Sequence, residues 1–102
     1  METYVILSTF EGSASDIDFD KAEEMQQQYE EMLNAFGVKL VGSWITLGRF
    51  DSVAVVEAPN AMAVRGLVAA SPAGMQTETL RAFPGTAMDW EFVEMMRKVL
   101  KP

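Results

Sequence analysis

The chain has 102 residues, 49% of them hydrophobic, and a formal net charge of −7, so it fits one domain, residues 1–102, with a real hydrophobic core. Its acidic balance argues against nucleic acid and anionic membranes as partners, because both draw their affinity from Lys and Arg. The chain contains no Cys and no His, which removes disulfides, thiolate nucleophiles, the commonest metal ligand and the commonest general base, and we therefore predict no cofactor.

The first predicted element is a strand over Tyr4–Phe10. Its β-branched and aromatic residues are apolar on both faces, which is typical of a strand that is covered on each side. The chain enters this run from Met1 without a basic segment, so we expect no secretory signal. No apolar stretch approaches the roughly 20 residues that span a bilayer. We therefore expect a cytoplasmic protein.

An amphipathic helix is predicted next. Asp20 is its predicted N-cap, and Glu23 three residues later completes a capping-box arrangement. Gly37 follows the last periodic residue and is the predicted C′ glycine. The apolar residues that define this helix recur at helical spacing, and they are Met25, Tyr29, Met32, Leu33 and Phe36.

Three aspartates before this helix, at alternate positions, imitate the opening of an EF-hand calcium loop: Asp16, Asp18 and Asp20. Lys21 stands where that loop needs a glycine, and Gln27 stands where it needs a bidentate glutamate. We interpret the aspartates as acids that stabilise a helix N-terminus, and we predict no metal site.

Two strands joined by a short turn follow the helix. They are predicted over Val38–Leu47 and Ser52–Ala58, and the turn between them reads Gly48-Arg49-Phe50-Asp51. This motif turn has two interpretations, a ligand-binding loop and a structural hairpin turn. We favour the structural one, because glycine tolerates positive φ and aspartate side chains accept hydrogen bonds from nearby backbone.

A helix, a strand and a final helix complete the chain. Asn60 caps a helix predicted over Ala61–Ala70, and a strand over Met75–Phe83 follows it. Thr86 is the predicted cap of the C-terminal helix, residues 86–100, whose apolar residues repeat the spacing of the first helix.

The order of elements is β-α-β-β-α-β followed by α, which predicts an α+β, ferredoxin-like fold with an added C-terminal helix. Two helices cover one face of a four-stranded sheet, yet the strands offer apolar side chains to both faces. A symmetric homodimer, or a multiple of two, with the sheets face to face would cover the second face.

Three segments in this order resemble the GYD domain family. They are Tyr4–Ser8, Thr46–Pro59 and Thr77–Phe83, so the motif-bearing region is 4–83. The middle segment is the most specific, and in it Phe50 stands where the name-giving motif has tyrosine. The resemblance implies a dimeric α/β barrel. It implies no reaction, because the family is known as a domain of unassigned function.

Strand alternation predicts a candidate ligand site between the paired sheets, formed by Tyr4, Ser8, Trp44 and Arg81. Aromatic walls, a hydroxyl and one guanidinium suit a small, partly apolar acid. In the alternative interpretation, Arg81 forms a structural ion pair with Glu57 or Asp51, because a buried charge needs a partner.

Three functions stay open. The leading hypothesis is a homodimer that binds this acid between its sheets. The second is a cofactor-independent monooxygenase or isomerase, whose base would be Tyr4 or a carboxylate with a pKa raised by burial, because no His is present to activate a serine. The third is a protein–protein interaction module that uses the C-terminal helix, which carries Trp90.

Overall fold

The computed structural model describes residues 1–12, 18–71, 74–83, 85 and 90–100. The predicted features at Asp16 and Thr86 lie outside these ranges. Four strands, three α-helices and a 3₁₀ turn at Phe19–Lys21 are found within them. The strands and helices, in chain order, are β1 (Glu2–Phe10), α1 (Ala22–Ala35), β2 (Lys39–Ile45), β3 (Ser52–Ala58), α2 (Ala61–Ala69), β4 (Met75–Ala82) and α3 (Trp90–Leu100).

The four strands form one antiparallel sheet in the order β2-β3-β1-β4. The two central strands, β1 and β3, have the most continuous apolar runs in the sequence, because each has a neighbour on both sides. The predicted mixed α+β class is confirmed. The strand order is compatible with the predicted ferredoxin-like arrangement.

Helices α1 and α2 cover one face of this sheet, which we call the helix-covered face. Leu33 of α1 and Leu67 of α2 pack there against Tyr4, Ile6 and Val56, and all five side chains are buried. Each such side chain contributes about 1.5–3 kcal/mol through the apolar surface that it removes from water. The core of the domain therefore lies between the two helices and the residues of β1 that include Tyr4, Ile6 and Ser8.

The helix ends follow local capping chemistry. Asp18, not the predicted Asp20, is the cap before α1, because its Oδ1 accepts from the backbone N–H of Asp20 at 3.1 Å and starts the 3₁₀ turn. The other two caps are confirmed. Gly37 has a φ of +67°, as the left-handed C′ position requires, and Asn60 Oδ1 accepts from the Ala63 N–H at 3.0 Å to begin α2.

The close approach of α2 to the end of α1 depends on a glycine. A Cβ placed on Gly66 would lie 2.5 Å from Cε1 of Phe36, well inside van der Waals contact. Glycine in a helix interior costs about 1 kcal/mol relative to alanine. Its presence here indicates that the Phe36 ring occupies the space that a side chain would need.

The second face of the sheet, which we call the open face, carries Val5, Leu7, Val53 and Val55 in register. Neither α1 nor α2 lies on it. Helix α3 makes at most slight contact with any other described element. The Cα radius of gyration is 17.1 Å, against about 13 Å for a compact chain of this length. No described helix is both long and apolar enough to cross a membrane.

Candidate functional site

The motif turn is held to the hairpin by its own backbone. Gly48 has a φ of +121°, which lies in the left-handed region that favours glycine. The Thr46 hydroxyl donates to the Phe50 carbonyl at 2.6 Å, and the Thr46 N–H donates to the Asp51 carbonyl at 2.9 Å. These contacts support the structural interpretation of the turn, and a ligand role for Gly48, Arg49, Phe50 and Asp51 stays untested.

Asp51 ties the turn to the end of β1. Its carboxylate Oδ2 accepts from the Phe10 N–H at 2.7 Å, and its own N–H donates to the Ser8 carbonyl at 2.8 Å. The sequence suggested that Asp51 would bond backbone within its own turn, whereas the bonded backbone lies 41 residues away. The contact therefore fixes the end of β1 against the β2–β3 hairpin.

Arg81 has a different environment from the one predicted. Arg81 of β4 pairs directly with Tyr4 of β1. Because Tyr4 faces the helices, the Arg81 side chain also emerges on the helix-covered face and not between paired sheets. Its Nη1 donates to the Thr3 carbonyl at 2.9 Å and to the Ala82 carbonyl, and its guanidinium lies 4.4 Å from the centre of the Phe83 ring. The guanidinium is exposed, so it does not need the charged partner that burial would require.

The predicted ion pair of Arg81 with Glu57 or Asp51 is wrong. Within the described ranges the one ion pair joins Arg97 to Glu94 on α3, at 3.3 Å. Both of those side chains are exposed, so this contact contributes little to stability.

Trp44 lies on the open face, because a β-bulge shifts the register of β2. Leu40 pairs with Val56, but Gly42 pairs with Val55, so one extra residue separates the two pairings. Every later residue of β2 is consequently turned to the opposite face. Trp44 nevertheless joins Ser8 among the residues that line the cavity described below, whereas Tyr4 and Arg81 do not line it. The ligand role of each residue stays a prediction.

A cavity of about 390 Å³ lies between α1, α2 and the sheet. Its floor contains Ser8 of β1 between two cross-strand neighbours, Ser52 of β3 and Thr77 of β4. We call these three residues the hydroxyl row. The roof comes from the two helices and includes Met25, Tyr29, Met32, Leu67 and Val68. The described residues that line the cavity are all uncharged.

Both tyrosines have pKa values above the ordinary 10.0. The hydrogen bond that the Tyr4 hydroxyl donates to Glu2 Oε1 at 2.6 Å is the main cause for Tyr4, with burial and the Glu2 charge adding to it and Arg81 opposing it. Burial raises the pKa of Tyr29. Both phenols are therefore neutral at physiological pH, and each can donate or accept a hydrogen bond.

The model of one protein family, described as the GYD domain, matches residues 4–90. The chain belongs to the GYD domain family. A curated relative from Thermus thermophilus is 34% identical over 86 residues, which cover 82% of this chain and 90% of that protein. The relative is named "Glutamine synthetase and cystathionine beta-lyase binding protein".

In this GYD domain the residue that replaces the name-giving tyrosine keeps an aromatic contact. The Phe50 ring is half-buried, and the Arg49 guanidinium lies 5.5 Å from its centre. A ring without a hydroxyl is sufficient for that cation–π contact. Phe50 therefore contributes a ring to the cation–π contact with Arg49 and a carbonyl that accepts from the Thr46 hydroxyl.

The predicted site of this GYD domain shares Ser8 and Trp44 with the cavity lining, and Tyr29 and Ser52 are among the members that sequence reasoning missed. Tyr29 was interpreted only as part of an apolar helix face, and Ser52 only as the start of a strand. Ser8 was expected at the site, and it pairs directly with Thr77 of β4. The sequence does contain a serine or threonine at each of the three positions that pair, Ser52, Ser8 and Thr77. That these positions pair can be recognised only once the strand register is known.

Proposed function

We propose that this GYD domain is a homodimeric binding protein whose partner is another protein, an enzyme of the kind that its Thermus thermophilus relative is named for. The observation that carries the proposal is the apolar surface of α3. Three of its residues, Met95, Val99 and Leu100, have exposed fractions of 52%, 69% and 69%. Such a stripe on a soluble helix is typical of a surface that another protein covers.

The charge pattern of α3 supports the same proposal. Glu94 and Arg97 fall on the side of the helix opposite Val99, and Glu91 and Lys98 lie on one flank between the two sides, as helical spacing requires. An amphipathic helix with few contacts to its own domain gains little stability there, because isolated helices of this length are marginal in water. Docking into an apolar groove of a partner would supply the missing burial.

The open face supports the homodimer. Val5, Leu7, Val53 and Val55 form an apolar patch on the two central strands, and Trp44 extends it with an exposed fraction of 55%. If a second copy is related to the first by a two-fold axis, its identical patch would cover the patch of the first copy and be covered by it. Sheets that pack in this way bury their facing side chains in a layer about 10 Å thick.

The partner proposal is tested by surface plasmon resonance with purified glutamine synthetase and cystathionine beta-lyase from the organism that encodes this chain. We expect saturable binding of the full chain to at least one enzyme. The Val99→Glu variant should weaken that binding at least about tenfold, because it places a charge in the centre of the buried stripe. The Thermus thermophilus relative with its own two enzymes is the positive control.

Lys98→Glu is the matched variant, because it introduces the same residue at the neighbouring position on the polar side of α3. It should bind nearly as well as the wild type. Circular dichroism and sedimentation establish that both variants keep the fold and the same oligomeric state. If the wild type binds neither enzyme, or if both variants lose binding equally, the α3 proposal is wrong.

The alternative of a cofactor-independent monooxygenase or isomerase has less support. The cavity on the helix-covered face contains no carboxylate among its described lining residues, and Tyr4 is not one of them. Tyr29 does line it, but its raised pKa makes it a poor base at neutral pH. Turnover of a quinol or a lactone by the purified protein would restore this alternative.

A further inference from the structure

We propose that the cavity between α1, α2 and the sheet binds a neutral, mostly apolar small molecule, and that the oxygen-bearing end of this molecule contacts the hydroxyl row. The proposal does not depend on a protein partner, since it concerns the helix-covered face and not α3 or the open face.

Ser8 is the central observation. Its residue is only 8% exposed, and it lines the cavity. The Ser8 hydroxyl therefore belongs to the polar part of a wall that is otherwise mostly apolar. A ligand hydroxyl or carbonyl in the cavity would find in it a group that both donates and accepts a hydrogen bond.

The neighbours of Ser8 extend this polar strip. Ser52 and Thr77 pair directly with Ser8 on either side, so three hydroxyls stand side by side across β3, β1 and β4. Directly paired residues of antiparallel strands have Cβ atoms about 5 Å apart. Each hydroxyl both donates and accepts, so the row suits a hydroxyl, carbonyl, lactone or amide group equally.

The lining selects against charge. No Asp, Glu, Lys or Arg is among the described residues of the cavity wall, although such residues make up 23% of the chain. A carboxylate or an ammonium that entered would lose hydration and find no counter-charge. Arg81, the cation that the sequence suggested for an acidic ligand, is outside this wall.

The space suits a small molecule. Its volume of about 390 Å³ falls in the range of about 300–1,000 Å³ that is usual for ligand pockets. Met25 and Met32 contribute to the roof, and methionine side chains adapt to ligands of differing outline. Tyr29 adds an aromatic ring and a neutral hydroxyl above the row.

The test uses a pair of probes of equal chain length, 1-octanol and octanoate, titrated into the isotope-labelled full chain and followed by amide chemical shifts. We expect saturable octanol binding, with shifts centred on Ser8, Tyr29, Leu67 and Thr77. Octanoate at neutral pH should bind at least about tenfold more weakly, because its charge has no partner in the cavity.

Ser8→Ala should weaken octanol binding about threefold to tenfold, the range expected for one lost neutral hydrogen bond. Thr9→Val is the matched control, since it removes a hydroxyl from the adjacent residue, which points to the other face, and it should leave binding unchanged. Ala54→Leu adds volume to the cavity wall and should reduce binding further while circular dichroism reports an unchanged fold.

Three outcomes would overturn the proposal. They are the absence of saturable octanol binding, equal affinity for octanoate, and shifts centred on Val5 and Val55, which would indicate adsorption to the open face. If Ala54→Leu does not fold, the comparison of Ser8→Ala with Thr9→Val and the location of the shifts still decide the question.

Discussion

Asp51 and Phe10 are joined by a hydrogen bond of 2.7 Å between the carboxylate Oδ2 and the backbone N–H. This contact links the motif turn to the last residue of β1, next to the backbone bond that Asp51 makes with Ser8. An aspartate at this place in the motif thus supports the end of the strand that carries the hydroxyl row. The turn and the end of β1 are thus joined by two hydrogen bonds.

Asp51→Ala should destabilise the domain by about 1–2 kcal/mol, because it removes a charge-assisted hydrogen bond and leaves the Phe10 N–H to water. Urea unfolding measures the change in free energy. Asp20→Asn removes an equally exposed acidic charge that accepts no described hydrogen bond, and it should change stability by no more than about 0.5 kcal/mol. Equal effects of the two substitutions would contradict the structural role of Asp51.

Gly66→Ala should destabilise the domain by about 1 kcal/mol, even though alanine is the better helix former. The higher helix propensity of alanine would stabilise α2 by about 1 kcal/mol. The added methyl group, however, would lie 2.5 Å from the Phe36 ring, and such overpacking destabilises a core by about 1–3 kcal/mol. The double variant with Phe36→Leu removes the atoms that clash. In that background Gly66→Ala should be neutral or stabilising, and a thermal-unfolding cycle measures the coupling.

Val55→Lys should convert the proposed dimer to a folded monomer, because it places a charge in the centre of the open face. Sedimentation velocity measures the change, and circular dichroism establishes the fold. Gln27→Lys introduces the same residue on the exposed side of α1 and should leave the dimer intact. A wild-type chain that sediments as a monomer at all concentrations would refute the paired-sheet proposal.

The two tyrosines should make the domain lose stability in alkali. Their pKa values in the folded state lie above the ordinary 10.0, so their neutral forms stabilise the fold fully below pH 10, and this contribution is lost as the pH rises through the folded values. Since the chain has two tyrosines, Tyr4→Phe and Tyr29→Phe each leave one to be titrated by its ultraviolet absorbance. A phenol that titrates at its ordinary pKa in the folded protein would contradict this prediction.

Much of the local structure was predictable from nearest neighbours in the chain. Periodicity identified α1, α2 and α3, and β-branched runs identified the strands, with β3 correct at both ends. Gly37 and Asn60 were recognisable because a cap depends on residues within one turn. Asp18 was missed in favour of Asp20, since both aspartates satisfy the same local pattern and the 3₁₀ turn decides between them.

The candidate site could be predicted only in part. Alternation correctly placed Tyr4 and Ser8 on the same face as Arg81, because β1 and β4 pair without interruption. The face on which Trp44 lies could not be predicted, because the bulge after Leu40 inserts one residue into β2. One inserted residue turns every later side chain of the strand to the opposite face. Nor does alternation identify which of the two faces the helices cover.

The sequence by itself determined the elements, their order and the absence of Cys and His chemistry, because these follow from composition and short-range spacing. Only the tertiary structure decided that Ser8 lies beneath the helices, that Asp51 reaches Phe10, and that the cavity wall excludes charge. Those properties depend on strand register and on the choice of the covered face. Both are set by packing between residues that lie far apart in the chain.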